Sequence, residues 1–217
     1  MPTGPSGTLA LLHTSPVHVP VFEGLRDADH PGLGMLHLVR EDLLARAREE
    51  GAEAVAPAVA DALAQAVDEG ASAVLCTCST IGGVAEACAA ELGVPVLRVD
   101  RPMAAAAAAA DRIVVVASVH STLEPTLALI REEAAGRGVD LRTLLVEGAW
   151  ELFEAGDRDG YLDAVATAVD RVREADVIVL AQASMADAAV RTTTAVPVLC
   201  SPRAGLRAAA GAIASGA

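Results

Sequence analysis

Ala73-Val-Leu-Cys-Thr-Cys-Ser-Thr-Ile-Gly-Gly83 opens as an apolar run and turns, within a few residues, into thiols and hydroxyls. Ala73 to Leu75 reads as a buried strand, Cys76 to Thr80 as a polar turn, and Val84 to Leu92, after the two glycines, as an amphipathic helix. Strand, polar turn and helix start mark the place where an open α/β sheet carries its chemistry, outside the carboxyl end of a strand. Hydroxyls and unpaired N–H groups at such a helix start suit a small anion such as a carboxylate. A thiol there is made more acidic by the helix dipole. Cys76 and Cys78 also fit a plainer role as small core residues. Cys78, further into the polar turn, is the stronger candidate for chemistry.

The same succession recurs on either side. Leu9 to Leu12 is a short buried strand followed by the polar turn His13-Thr14-Ser15-Pro16. Val17 to Gly34 reads as an irregular connection, and Met35 to Val39 as a second strand. Helical periodicity runs through Leu43–Glu50 and Val55–Glu69, with Gly70 as a stop. Val94 to Leu97 is a fourth strand, and an alanine-rich helix begins at Met103. The pattern then restarts. Arg112 to Ala117 is a continuous apolar strand ending in Ser118-Val-His-Ser-Thr122. Helices are predicted over Leu123–Gly136 and Tyr161–Glu174, strands over Leu141–Val146, Asp176–Leu180 and Val196–Leu199, and a last helix closes the chain.

Side by side, the two halves are a repeat. Ala71-Ser-Ala-Val-Leu75 falls on Ala175-Asp-Val-Ile-Val179 at an offset of 104, and Leu12-His13-Thr14 falls on Val116-Ala117-Ser118 at the same offset. Val94-Pro-Val-Leu97 falls on Val196-Pro-Val-Leu199 at 102. Three matches in register predict two pseudo-symmetric open-sheet α/β halves with a ligand site in the crevice between them. The expected division is a tail at 1–7, a first half at 8–103 and a second at 104–217, with the C-terminal helix free to pack on the first half. At the offset of 104, Cys78 falls on Gln182 and Thr80 on Ser184. The second half does not mirror the thiol of the first.

Composition narrows the function classes. The 217 residues carry a net charge of −13, which argues against nucleic acid or an anionic membrane surface as partner but leaves room for a small anion at a local site. Aromatics make up only 2% of the chain, so Ala, Val and Leu build its core. Four irregularly spaced cysteines are not a secreted disulfide framework, and no apolar run reaches the roughly 18 residues of a membrane span. A cytoplasmic protein with reduced thiols is expected. No glycine-rich phosphate loop occurs, and Cys-x-Cys without a second ligand pair does not spell a metal site, so neither a cofactor nor a metal is expected.

Leu75-Cys-Thr-Cys-Ser-Thr80 resembles the Cys-Asn-Thr motif of the aspartate/glutamate racemase superfamily, which includes glutamate and hydantoin racemases, maleate isomerase and arylmalonate decarboxylase. Pro102-Met-Ala104 is similar to the helix closing that family's first half. Ile113-Val-Val-Val-Ala-Ser118 is similar to its Val-Leu-Ala-Thr restart, and Asp176 to Ser184 stands where its second Gly-Cys-Thr motif belongs. The resemblance implies two pseudo-symmetric halves around a site for a small carboxylate, with a homodimer possible because relatives often pair. It implies Cys78 as the first catalytic thiol, with Ser79 and Thr80 as donors to the substrate carboxylate. Ser118, Ser121 and Thr122 would donate from the other half, His13, Thr14 and Ser15 would line the floor, and Gln182, Ala183 and Ser184 the opposite wall.

Gln182 stands where the family's second catalytic cysteine belongs. Inverting a stereocentre needs one group to remove the α-proton and another to deliver a proton to the opposite face. An amide does not titrate, although it can hydrogen-bond a carboxylate or an enolate oxygen. Three readings follow. The first is an isomerase of the racemase or epimerase type, with Cys78 working beside an imidazole such as His120 or His13. The second is a single-cysteine decarboxylase of a malonate-like acid. The third is a non-catalytic relative that keeps the carboxylate cradle.

Overall fold

The computed structural model describes residues 7–216, and the tail expected at 1–7 lies almost entirely outside them. The described residues form eight strands and ten α-helices. They run β1 (Thr8–His13), α1 (His18–Asp29), β2 (Gly34–Val39), α2 (Glu41–Glu50), a 3-10 turn at Ala52–Val55, α3 (Ala56–Asp68), β3 (Ala73–Cys76), α4 (Ser79–Ala87), α5 (Ala89–Leu92) and β4 (Val96–Arg98). The succession continues with α6 (Arg101–Ala107), β5 (Arg112–Ala117), α7 (His120–Glu133), β6 (Asp140–Leu145), α8 (Ala149–Glu154), α9 (Arg158–Asp170) and β7 (Val177–Leu180). A 3-10 helix at Ala183–Val190, β8 (Val198–Cys200) and α10 (Pro202–Gly216) complete it. Among the described residues no helix is long and apolar enough to cross a membrane.

The strands form two four-stranded parallel sheets, in the orders β2-β1-β3-β4 and β6-β5-β7-β8. Register carries the repeat into three dimensions. Leu9 pairs with Ala73 and Ile113 with Val177, so both strands keep the same offset of 104 residues. Val74 pairs with Val96 and Ile178 with Val198. The central strands are apolar without alternation because helices cover both faces. Val114 and Val116 of β5 pack in one cluster with Tyr161, Leu162 and Val165 of α9, and Ile113 and Val115 in another with Leu127 and Ile130 of α7.

The chain divides into two compact units, 1–99 with 202–217, and 100–201. The first half therefore ends at Val99 rather than at 103, and the second at Ser201 rather than at 217. Each half's last helix serves the other unit. α6, which follows β4, lays Met103, Ala104 and Ala107 on β5 and β7. α10, which follows β8, lays Leu206, Ala209, Ala210 and Ile213 on Leu9, Leu11, Ala73 and Leu75 of the first sheet. Gly205 makes that approach possible. A Cβ there would stand 2.5 Å from the Val99 carbonyl oxygen.

Two segments differ from the sequence reading. His18–Asp29 is a helix, not an irregular connection. Its Pro20 falls in the first turn, where the missing N–H costs nothing, and only His18 and Phe22 bury their side chains. α4 begins at Ser79 rather than at Val84 and runs through Gly82 and Gly83. The glycines are a packing device there, because a Cβ on Gly82 would meet the Arg98 side chain at 3.1 Å.

Candidate active site

In each sheet the chain leaves the first strand toward one neighbour and returns on the other side. The change of direction opens between β1 and β3 in the first unit and between β5 and β7 in the second. Such a topological switch point, at the carboxyl ends of the strands, is where open α/β sheets bind ligands.

At the first switch point, β3 pairs with β1 up to Leu12 and Cys76, and the Thr77 N–H extends the pairing by donating to the Leu12 carbonyl at 3.0 Å. Cys78 follows in extended conformation (φ −111°, ψ 116°) as the N-cap residue of α4. Its side chain makes no capping bond. It is half-buried against the first unit's core and belongs to the segment where helical N–H groups are unpaired within the helix. Ser79 and Thr80, in the first turn, are buried. Cys76 is different in kind. Fully buried, it donates its S–H to the Cys78 carbonyl at 3.6 Å.

His13 closes β1 beneath this turn and is fully buried. Its Nδ1 lies 2.8 Å from Thr77 Oγ1 and its Nε2 lies 2.9 Å from Nδ1 of His37 on β2, with the two rings stacked at 5.2 Å. Burial pushes the His13 imidazole down to about 3, helped by repulsion from His18 and His37, so it is neutral across the physiological range. Both of its ring nitrogens are engaged within the first unit. Thr14 is buried and Ser15 half-buried at the start of the turn that follows.

The second switch point is built to the same backbone plan. The Ala181 N–H donates to the Val116 carbonyl at 2.9 Å, and Gln182 then stands extended (φ −122°, ψ 139°) as the N-cap of the 3-10 helix. The Ser118 N–H and hydroxyl both donate to Gln182 Oε1, at 2.7 and 2.9 Å. A backbone N–H can only donate, so this oxygen assignment is chemically forced. The amide nitrogen of Gln182 carries two N–H donors. Behind it, the fully buried phenol of Tyr161 lies 2.8 Å from Ser184 Oγ and 3.4 Å from Ser118 Oγ, and burial pushes its pKa up.

The expected site residues therefore divide by task. Ser118 and Ser184 are engaged in steadying Gln182 and Tyr161. Ala183 and Thr122 are buried, and Ser121 Oγ is buried with no hydrogen-bond partner. His120 is exposed at the first residue of α7. Three participants were not read from the sequence: Thr77, His37 and Tyr161. Thr77 stood in plain view between two cysteines, and Tyr161 is the chain's only tyrosine. The contact with His37 depends on strand register over 24 residues, which no local pattern discloses.

Two parallel α/β units of one topology, each with polar side chains gathered at its switch point, define a class of repeated open-sheet α/β proteins. Within that class a family model for Asp/Glu/hydantoin racemase matches residues 44–209, and the chain belongs to that family. No curated protein matches the chain in sequence. Among solved structures, a glutamate racemase from Bacillus anthracis is similar over 98% of this chain and 83% of its own, with a TM-score of 0.70 and 13% identity. Allantoin racemase from Klebsiella pneumoniae is similar over 97% and 89%, with a TM-score of 0.69 and 17% identity. A doubly substituted arylmalonate decarboxylase in liganded form is similar over 97% and 94%, with a TM-score of 0.65 and 20% identity. At these identities the likeness is one of fold.

Proposed function

We propose that the chain is a cofactor-independent enzyme acting on a small amino-acid-like or dicarboxylic acid, with Cys78 transferring a proton at the α-carbon. The observation that carries this reading is the unequal pair at the switch points. Cys78 is a half-buried thiol at a helix start, and Gln182 is an amide whose oxygen is already taken by Ser118. Ser79 and Thr80 supply hydroxyls to the substrate carboxylate. Gln182 donates N–H groups to an oxygen that gains negative charge in the transition state. A reducing compartment suits a reaction that needs a thiol, and none of the four cysteines forms a disulfide.

Racemisation or epimerisation requires a second proton carrier, and His120 is the exposed imidazole available for that role. The fixed orientation of Gln182 favours a second reading, decarboxylation of a malonate-like acid. The carbon–carboxylate bond breaks, carbon dioxide leaves, and the electron pair stays on the substrate as an enediolate. The Cys78 S–H then protonates the α-carbon, and water restores the thiol. One titrating group suffices.

Proton NMR in D2O with a panel of small carboxylic acids tests both readings, including both enantiomers of Asp and Glu and several malonates. Exchange of an α-proton identifies the isomerase, and loss of carbon dioxide with one deuteron incorporated identifies the lyase. Either result must vanish in Cys78→Ala. Turnover that persists in that variant refutes the role given to Cys78, and a chain that turns over nothing but binds a carboxylate is the non-catalytic relative.

A further inference from the structure

With His13 held neutral by burial, the hydrogen bonds around it have one direction. Thr77 Oγ1 lies 3.2 Å from the Leu12 carbonyl, which can only accept, so the threonine proton points there. Thr77 Oγ1 must then accept from His13, which places the His13 proton on Nδ1. His13 Nε2 is left with a lone pair and accepts from the Nδ1–H of His37. For neutral His13 the chain of donors runs from His37 through His13 and Thr77 to the backbone of β1. Its outer end is the Nε2 lone pair of His37, buried and without a partner.

The order of donors decides what His13 can do. A protonated His13 would carry an N–H on Nε2 and drive the His37 proton to its own Nε2, which is buried without an acceptor, so the network disfavours the imidazolium. Phe22 and His18 of α1 pack on the ring from the other side, at centroid distances of 5.6 and 6.2 Å, and Glu23 and Arg26 act on His37. Three imidazoles so close together suggest a metal site, yet among the described residues no three His, Cys, Asp or Glu side chains converge to hold one. What the network does hold is Thr77, whose N–H and hydroxyl are both tied to Leu12. Thr77 is the residue immediately before Cys78.

We infer that His13 and His37 form a positioning pair, locked as neutral Nδ1–H tautomers, which fixes the Cys78 turn through Thr77 rather than exchanging protons with substrate. The inference rests on Cys78 being the reacting thiol. It assigns the buried imidazole to geometry, and leaves proton transfer to the thiol.

Two measurements on the full-length protein test it. Nitrogen-15 NMR of histidine at pH 7 must show His13 and His37 as neutral Nδ1–H tautomers. An Nε2–H form of His13 overturns the assignment whatever any variant does. Iodoacetamide alkylation, followed peptide by peptide, must show Cys78 reacting about fivefold faster in Thr77→Val as the turn loosens, the factor that one neutral hydrogen bond commands. Cys88 serves as an unchanged internal standard, and Thr77→Ser, which keeps the hydroxyl, must return Cys78 to the wild-type rate. Equal Cys78 rates in wild type and Thr77→Val reduce the network to a structural one and overturn the proposal. Neither readout requires turnover. A Cys78→Ala protein that still transforms substrate refutes the thiol reading while leaving the tautomer and alkylation results to stand or fall alone.

Discussion

Cys78 and Gln182 sit 104 residues apart in sequence and at equivalent points of two copies of one topology. Both are extended N-cap residues, with φ and ψ of −111° and 116° for the thiol and −122° and 139° for the amide. What stands behind them differs. The thiol leads into a regular α-helix and rests on a turn tied to two imidazoles. The amide leads into a 3-10 helix and is gripped by Ser118, which in turn meets a buried phenol. The backbone plan has been kept in both units while the side chains have parted. One end carries a thiol, and the other an amide held through its oxygen. A chain of the Asp/Glu/hydantoin racemase family can thus carry unlike side chains at the two equivalent positions.

The comparison breaks most directly at Cys78. Cys78→Ala is expected to take turnover below detection by deuterium incorporation, a loss of at least about 10²-fold, the usual weight of one positioned acid or base. The imidazoles of the first unit make their mark on acid stability. The folded-state pKa of His13 is depressed to about 3 from 6.5, so its share of stability is present above pH 6.5 and is lost as pH falls toward 3. That share is on the order of 4 kcal/mol. Guanidinium unfolding between pH 7 and 3 should therefore fall more steeply for wild type than for His13→Gln. On the other side, Gln182→Met removes the donors without removing bulk and should cost about 10²-fold in kcat, as loss of an oxyanion donor does.

Smaller effects sharpen the contrast in scaffolding. At the offset of 102 that relates β4 to β8, Gly205 of α10 falls on the buried Met103 of α6, so only α10 can lie against backbone. Gly205→Ala should cost about 1–3 kcal/mol of unfolding free energy, read by denaturant titration. Tyr161→Phe gives up the contacts to Ser118 and Ser184 and should cost about 1 kcal/mol. The phenol's folded pKa is raised, so its contribution is present below about pH 10 and is lost as pH rises above that. The variant should therefore lack that part of wild type's alkaline decline.

Whatever depended on neighbours in the chain was legible before the structure. β5 was read to the residue at Arg112–Ala117 because Ile113 to Ala117 are apolar without a break and buried. The repeat was legible because short, parallel, buried strands tolerate few residue types. α1 was not, because its burial rests on His18 and Phe22 alone and Pro20 and Gly24 read as breakers. The start of α4 was hidden by two glycines whose reason is Arg98, sixteen residues further on. Cys78 and Gln182 could be named from spacing. Their supports could not, since His37 reaches His13 only across paired strands and Tyr161 reaches Ser118 only by helix-on-sheet packing.

The crossing of α6 and α10 has a consequence for synthesis. Chains emerge from the ribosome amino end first, and domains generally fold as they are completed. The second unit is continuous, 100–201, and has all its parts once Ser201 is out. The first unit must wait for residues 202 onward, because until α10 arrives the face of Leu9, Leu11, Ala73 and Leu75 lacks the helix that covers it. The unit translated second is thus the unit able to fold first, and β3, which leads into the Cys78 turn, gains its covering helix only afterwards.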